Sequence, residues 1–92
     1  MRLFMRKTSS SQGECWAEDW DSVMGHAKFF ITDTEILIDD LRVKSWHRRK
    51  GVGTALVNHI RQIGLPIKPV CVLPNEDAHG FWDKVTPDWR TT

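Results

Sequence analysis

Seven consecutive residues, Arg48-Arg49-Lys50-Gly51-Val52-Gly53-Thr54, combine the features needed to hold two linked phosphates. Two glycines stand where the downstream pattern predicts a helix to begin. The first turn of a helix offers about four backbone N–H groups without internal partners, together with the positive end of its dipole. Glycines there let a phosphate approach the backbone with no Cβ in the way. The preceding cations add charge-assisted donors for the outer phosphate oxygens. The spacing is neither that of a P-loop nor the GxGxxG of a dinucleotide-binding turn. The same residues also describe a plain glycine-rich helix start beside a solvated basic run, and spacing alone leaves both readings open.

The flanking elements decide whether such a cradle is presented. Val52, Ala55, Leu56, Ile60 and Ile63 recur at spacings of three and four and predict one apolar helical stripe, with Thr54, Asn58, Arg61 and Gln62 on the wet side. Gly64 and Pro66 end that helix. Upstream, His26–Ile31 and Glu35–Lys44 predict two strands joined by a turn at Thr32–Glu35 and paired antiparallel. Ile67–Leu73 predicts a strand after the helix. Strand–helix–strand implies a right-handed crossover and parallel strands, and Pro69 favours an edge or a disrupted ladder. Pro74–Lys84 predicts a short helix with Asn75 available as N-cap and Ala78, Phe81 and Trp82 on one face. Met1–Lys7 alternates as an opening strand would, and Thr8–Gly13 is a polar loop. Glu14–Met24 stays open between a helix, from Trp16 and Trp20 four apart, and a twisted strand with a turn. The class is α/β.

Composition bounds the rest. Ninety-two residues make one small domain whose core depends on bulk from five Trp and four Phe, with no Tyr. A net charge of +1 gives no global field directed at nucleic acid or an anionic membrane. Cys15 and Cys71 lack a CxxC spacing and read as ordinary thiols of a reducing compartment. No apolar run approaches the roughly 20 residues that span a bilayer, and Met1–Lys7 has no apolar signal core. A cytoplasmic protein is the default expectation.

Three stretches together resemble a known family. Arg48-x-x-Gly51-x-Gly53 is similar to the Q/R-x-x-G-x-G/A acetyl-CoA signature of the GNAT superfamily of N-acetyltransferases. Leu41–Arg48 resembles that family's preceding strand end, L-x-V-x-P-x-Y/F-R, with Ser45 in place of Pro and His47 in place of the aromatic. Asn75-x-x-Ala78-x-x-Phe81-Trp82-x-Lys84-Val85 resembles its later helix. The resemblance covers Gly25–Val85, about two thirds of the chain, with the motifs in family order.

That resemblance implies a single domain, 1–92, with a mixed central sheet flanked by helices and without the family's usual C-terminal hairpin. It implies acetyl-CoA as cofactor and direct attack of a bound amine on the thioester, with no protein nucleophile and no metal. Backbone groups of Leu41, Arg42 and Val43 would bind the pantetheine arm. Arg48, Arg49, Lys50, Gly51, Val52, Gly53 and Thr54 would bind the pyrophosphate, and Asn75, Phe81 and Trp82 would lie along the cofactor. Asp39 and Asp40 are the candidate proton acceptors, in a setting similar to the acidic strand of the polyamine acetyltransferases. Strict alternation places Asp39 among Leu37, Leu41 and Val43, whereas a bulge gives that place to Asp40. Either is expected to face the sheet interior, where desolvation raises a carboxyl pKa. Both also read as solvated strand-end carboxylates or partners for Lys and Arg. His26, His47, His59 and His79 could each act as a base, but they lack metal-site spacing, and a structural role is the ordinary reading for each.

Departures from the family temper the enzyme reading. Trp82 stands where many members carry a Tyr general acid, leaving Cys71 or water to protonate the leaving thiolate. The acceptor pocket would be open or completed by a second copy, and an exposed sheet edge leads to the expectation of a homodimer. Two functions follow: transfer of an acetyl group to a small amine, or to a protein lysine or N-terminus, and non-catalytic binding of a macromolecular partner with or without coenzyme A. Nucleic acid is set aside, since His47–Lys50 has no interleaved stacking aromatics.

Overall fold

The computed structural model describes residues 1–20, 22–44, 51–70 and 76–86, without the side chains of 76–79. Strands β1 (Arg2–Lys7), β2 (Gln12–Glu18), β3 (Val23–Ile31) and β4 (Ile36–Val43) pair antiparallel in chain order. Helix α1 (Val52–Arg61) follows, then β5 (Ile67–Pro69), which joins the sheet parallel to β4, and then α2 (Glu76–Val85). The sheet order is β1-β2-β3-β4-β5, so Pro69 lies on an edge strand, as its missing N–H requires. This mixed sheet with helices is the α/β arrangement expected.

Short-range chemistry sets the turns. Thr32 closes the β3–β4 hairpin: its N–H and hydroxyl both donate to the Glu35 carbonyl, and its Oγ1 accepts from the amides of Thr34 and Glu35. Asp19 N–H donates to the Ser22 carbonyl at 2.9 Å between β2 and β3. The ambiguous stretch Glu14–Met24 is therefore strand, turn and strand. Trp16 lies on the sheet and Trp20 is 94% exposed in the turn, so their spacing of four reflects no helical stripe.

The core lies between one face of the sheet and α1. Cys15 and Ala17 of β2, Ala27 and Phe29 of β3, and Ile36 and Ile38 of β4 meet Val52, Leu56, Val57 and Ile60. Small sheet residues let the helix come close: a Cβ at Gly25 would stand 3.0 Å from Val52 Cγ1 and 3.2 Å from Leu56 Cδ1. Val57, absent from the expected stripe, is fully buried, while Ala55 is only partly so. The helix ends by tightening: Gln62, Ile63 and Gly64 amides each reach back three residues, and Gly64 takes φ 97°. Helix α2 completes the core with Trp82 and is tied in twice. Arg61 Nη2 donates to the Val85 carbonyl, and the buried Thr86 hydroxyl donates to the Ile67 carbonyl at 3.1 Å.

Two bulges interrupt the ladder. Ala17 pairs with Gly25 but Glu18 with Val23, so Met24 is extra in β3; Met24 and Gly25 are consecutively buried as a result. Lys28 pairs with Asp40 but Phe29 with Ile38, so Asp39 is extra in β4.

Candidate active site

The bulge at Asp39 determines what β4 presents. Ile36 and Ile38 turn their side chains to the core and their backbone groups to β5: Ile36 N–H donates to the Pro66 carbonyl at 2.7 Å, and the Ile38 carbonyl accepts from Val70 at 2.9 Å. Past Asp39 the phase changes, and Leu41 and Val43 become the residues packed against the core. Lys44 N–H donates to the Met24 carbonyl, which fixes Gly25 and Val43 as a non-hydrogen-bonded pair in the antiparallel ladder. Leu41 and Val43 therefore point their backbone N–H and C=O away from β3, toward the side where β5 lies. Among the described residues β5 pairs only with Ile36–Ile38, whereas β4 runs on to Val43.

The N-terminus of α1 begins past that end of β4. Gly51 holds φ 80°, a left-handed conformation that glycine adopts without strain. A Cβ there would meet nothing within 4 Å. Gly51 has no side chain with which to cap α1, and the first turn contains no acid, so among the described residues the amides and dipole have neither a capping side chain nor a compensating acid. These features fit a bound diphosphate. The Val52 side chain is buried in the core, which leaves only its amide to face a ligand; Thr54 is half-buried. Arg48, Arg49, Lys50 and Asn75 lie outside the described residues, as do His47, Ser45 and Cys71.

Gly53 and Trp82 have packing roles that the motif does not announce, and one expectation, the setting of the aspartates, is corrected. The absent Cβ of Gly53 makes room for another helix: a Cβ would lie 3.0 Å from Phe81 Cε1 and 3.7 Å from Val43 Cγ2. Trp82, expected along the cofactor, is only 6% exposed and packs in the core, with Phe81 edge-on to it at 5.1 Å. Neither aspartate has the desolvated setting expected. Asp39, the bulged residue, is exposed, and the Asp40 side chain is 35% exposed and accepts from Arg42 Nε at 3.1 Å. Such a surface pair contributes at most about 1 kcal/mol.

The sheet face opposite α1 carries an ordered array that period-two alternation alone does not reveal. Arg6, Glu14, Lys28 and Asp40 stand in register across four strands, beside a second row of Phe4, Trp16, His26 and Arg42. Phe4 and Trp16 stack at 5.5 Å, with the Arg2 guanidinium over the first ring and that of Arg6 over the second. Arg6 donates to Glu14 Oε1, and His26 Nε2 lies 3.1 Å from Glu14 Oε2. Arg6, then His26, hold the Glu14 carboxyl below the usual carboxylate range. A hollow of about 210 Å³ opens beside them, lined in part by Gln12, Glu14, Lys28, Phe30 and Asp39. Among the described residues no group of three His, Cys, Asp or Glu could hold a metal, and no helix is long and apolar enough to cross a membrane.

A mixed sheet of five strands flanked by helices is an arrangement that can be compared with known proteins. Residues 2–86 match the acetyltransferase (GNAT) family. The chain belongs to that family. It is 34% identical over 62 residues to an uncharacterized N-acetyltransferase of Bacillus cereus (strain G9842), covering 67% of this chain and 38% of that protein. Its fold is similar to that of an aminoglycoside acetyltransferase from an uncultured soil metagenomic sample, crystallised with trehalose (TM-score 0.78, 16% identity, 92% of this chain and 63% of that one). It is similar also to the ribosomal-protein-S18-alanine N-acetyltransferase of Escherichia coli (TM-score 0.70, 13% identity, 85% and 54%). The chain thus spans less than two thirds of the length of each of these relatives.

Proposed function

We propose that this chain binds acetyl-CoA and transfers its acetyl group to a primary amine, on a small molecule or on a protein lysine or N-terminus. The observation that carries the reading is Gly51, left-handed and open at the start of a helix that no side chain among the described residues caps. The amides of Gly51–Thr54, with Arg48, Arg49 and Lys50, would hold the pyrophosphate. The backbone of Leu41, Arg42 and Val43 would hold the pantetheine arm, with Asn75 and Phe81 beside it. Acetyl-CoA supplies an acyl group already activated as a thioester, so the protein's part is to place an amine against it and remove a proton. Asp39 and Asp40, exposed on β4, would draw a cationic amine toward that end of the strand.

A specific ligand at 100 times its Kd stabilises a protein by about 2.7 kcal/mol. In a domain of this size that raises Tm by roughly 10–20 °C. Titration with acetyl-CoA and with free coenzyme A, followed by thermal melting, tests the reading; no shift with either at millimolar excess overturns it. The buried Trp82, where many members carry a Tyr, supports a second reading: a coenzyme A-binding member that holds a macromolecular partner without catalysis. Binding without thiol release distinguishes it. The open edge of β1 supports a homodimer, which size-exclusion chromatography measures.

A further inference from the structure

The polar row on the open face is organised around Glu14. Its Oε1 accepts from Arg6, and its Oε2 lies 3.1 Å from His26 Nε2. An ionised carboxylate can only accept, so Nε2 carries the proton of the neutral ring and Nδ1 keeps the lone pair. Among the described residues Nδ1 has no hydrogen-bond partner. The side chain is 33% exposed. His26 is the register partner of Arg42, which lies between Leu41 and Val43 on β4. Helix α1 covers the opposite face, so an acceptor reaches this part of β4 from the side on which His26 stands.

Resting on the acetyl-transfer reading above, we infer that His26 is the proton acceptor for the attacking amine, with Glu14 and Arg6 as positioning residues. An imidazole changes protonation near neutral pH, where a general base is most effective, whereas a solvated carboxylate is a weak base there. Asp40 already accepts from Arg42, and Asp39 stands on the exposed bulge. The neutral imidazole takes one proton from R–NH3+, giving imidazolium and R–NH2. The amine nitrogen forms a bond to the thioester carbonyl carbon while the C–S bond breaks with its electron pair on sulfur. The second proton lost from nitrogen goes to that thiolate, and His26 releases its own proton to water.

The charged groups on the His26 face among the described residues are Arg2 and Arg6 from β1, Glu14 and Glu18 from β2, Lys28 from β3, and Asp40 and Arg42 from β4. Of these, Glu14 is hydrogen-bonded to the ring. The test uses the full chain with acetyl-CoA and three small primary amines, ethanolamine, 2-phenylethylamine and spermidine. Thiol release is followed from about pH 5 to 9, with the coenzyme A thermal shift measured in parallel. His26→Gln keeps an N–H donor for Glu14 but takes no proton. It is expected to lower kcat/KM at least ~100-fold and to replace a levelling profile by one that rises with pH across the whole range, as the free-amine fraction does, while leaving the thermal shift unchanged. Glu14→Gln removes the carboxylate that anchors Nε2 and is expected to lower kcat/KM, with Glu14→Asp recovering part of the loss and the coenzyme A thermal shift unchanged in both. A structural role alone would move the melting temperature of the unliganded protein together with the rate. A His26→Gln protein with the native rate and profile overturns the inference. So does a native protein that binds acetyl-CoA yet releases no thiol with any of the amines. Absence of a thermal shift in the native protein instead removes the acetyl-transfer reading itself.

Discussion

The ring of Phe81 lies over Gly53, so close that a Cβ at 53 would stand 3.0 Å from Cε1 and 3.2 Å from Cζ. One glycine of the cradle motif therefore fixes how α2 docks on α1. Gly53→Val is expected to lose about 1–3 kcal/mol by overpacking, with no ligand present. Phe81→Ala should absorb much of that loss, giving a coupling of about 0.5–3 kcal/mol in a double-mutant cycle by urea denaturation. Additive losses would show that the two residues do not oppose one another.

Gly51 behaves differently. Space around it is open, so the cost of a side chain there is conformational, arising from φ 80°. Gly51→Ala should cost about 1–2 kcal/mol, lowering Tm by roughly 4–16 °C. Gly51→Asn should cost less, because Asn tolerates the left-handed region. Equal losses for the two variants would contradict a purely backbone origin.

Thr86 is a buried polar residue whose hydroxyl satisfies the Ile67 carbonyl at the start of β5. Thr86→Val preserves shape but orphans that acceptor, at an expected cost of about 1–3 kcal/mol; Thr86→Ser should lose much less. Guanidinium unfolding of the pair measures the difference.

Burial pushes the Cys15 thiol up to about 11 from an ordinary 9.0. Folding thus favours the protonated form. The sign follows: this contribution is complete below pH 9 and is lost as pH rises through about 11. Two pH units correspond to about 2–3 kcal/mol. The native protein should therefore lose stability across that range relative to Cys15→Ala, whose profile should lack this component. Parallel profiles in thermal melts would rule it out.

Local pattern carried much of the architecture. The β3–β4 hairpin, α1 and the parallel β5 follow from periodicity and from Gly64 and Pro66, because each is specified by neighbours a few residues apart. The sequence admits a phase change near Asp39 as one of two alternatives, but which phase holds is a property of β4 paired with β3. The same is true of Met24 in β3. Arg6, Glu14 and His26 are separated along the chain and converge only through register, so no spacing rule brings them together. Gly53 and Trp82 were legible as family motif positions, yet their packing roles depend on how α2 docks, a long-range contact. Arg48, Arg49, Lys50 and Asn75 remain assignments from motif.

For the fold, Asp39 counts as an insertion whose being looped out matters more than its chemistry. Excising that single residue would leave Ile36, Ile38, Leu41 and Val43 on one face of a regular strand and Leu37, Asp40 and Arg42 on the other. Flattening the bulge with Asp39 retained would instead drive the Arg42 guanidinium into the hydrocarbon interior and expel Leu41 and Val43 to water. Exchange to Asn, Gly or Ser, and a one-codon deletion, should all be tolerated by the architecture. Descendants of this sequence could vary or lose the letter at 39, whereas a further single-residue gain in β4 would need a bulge of its own.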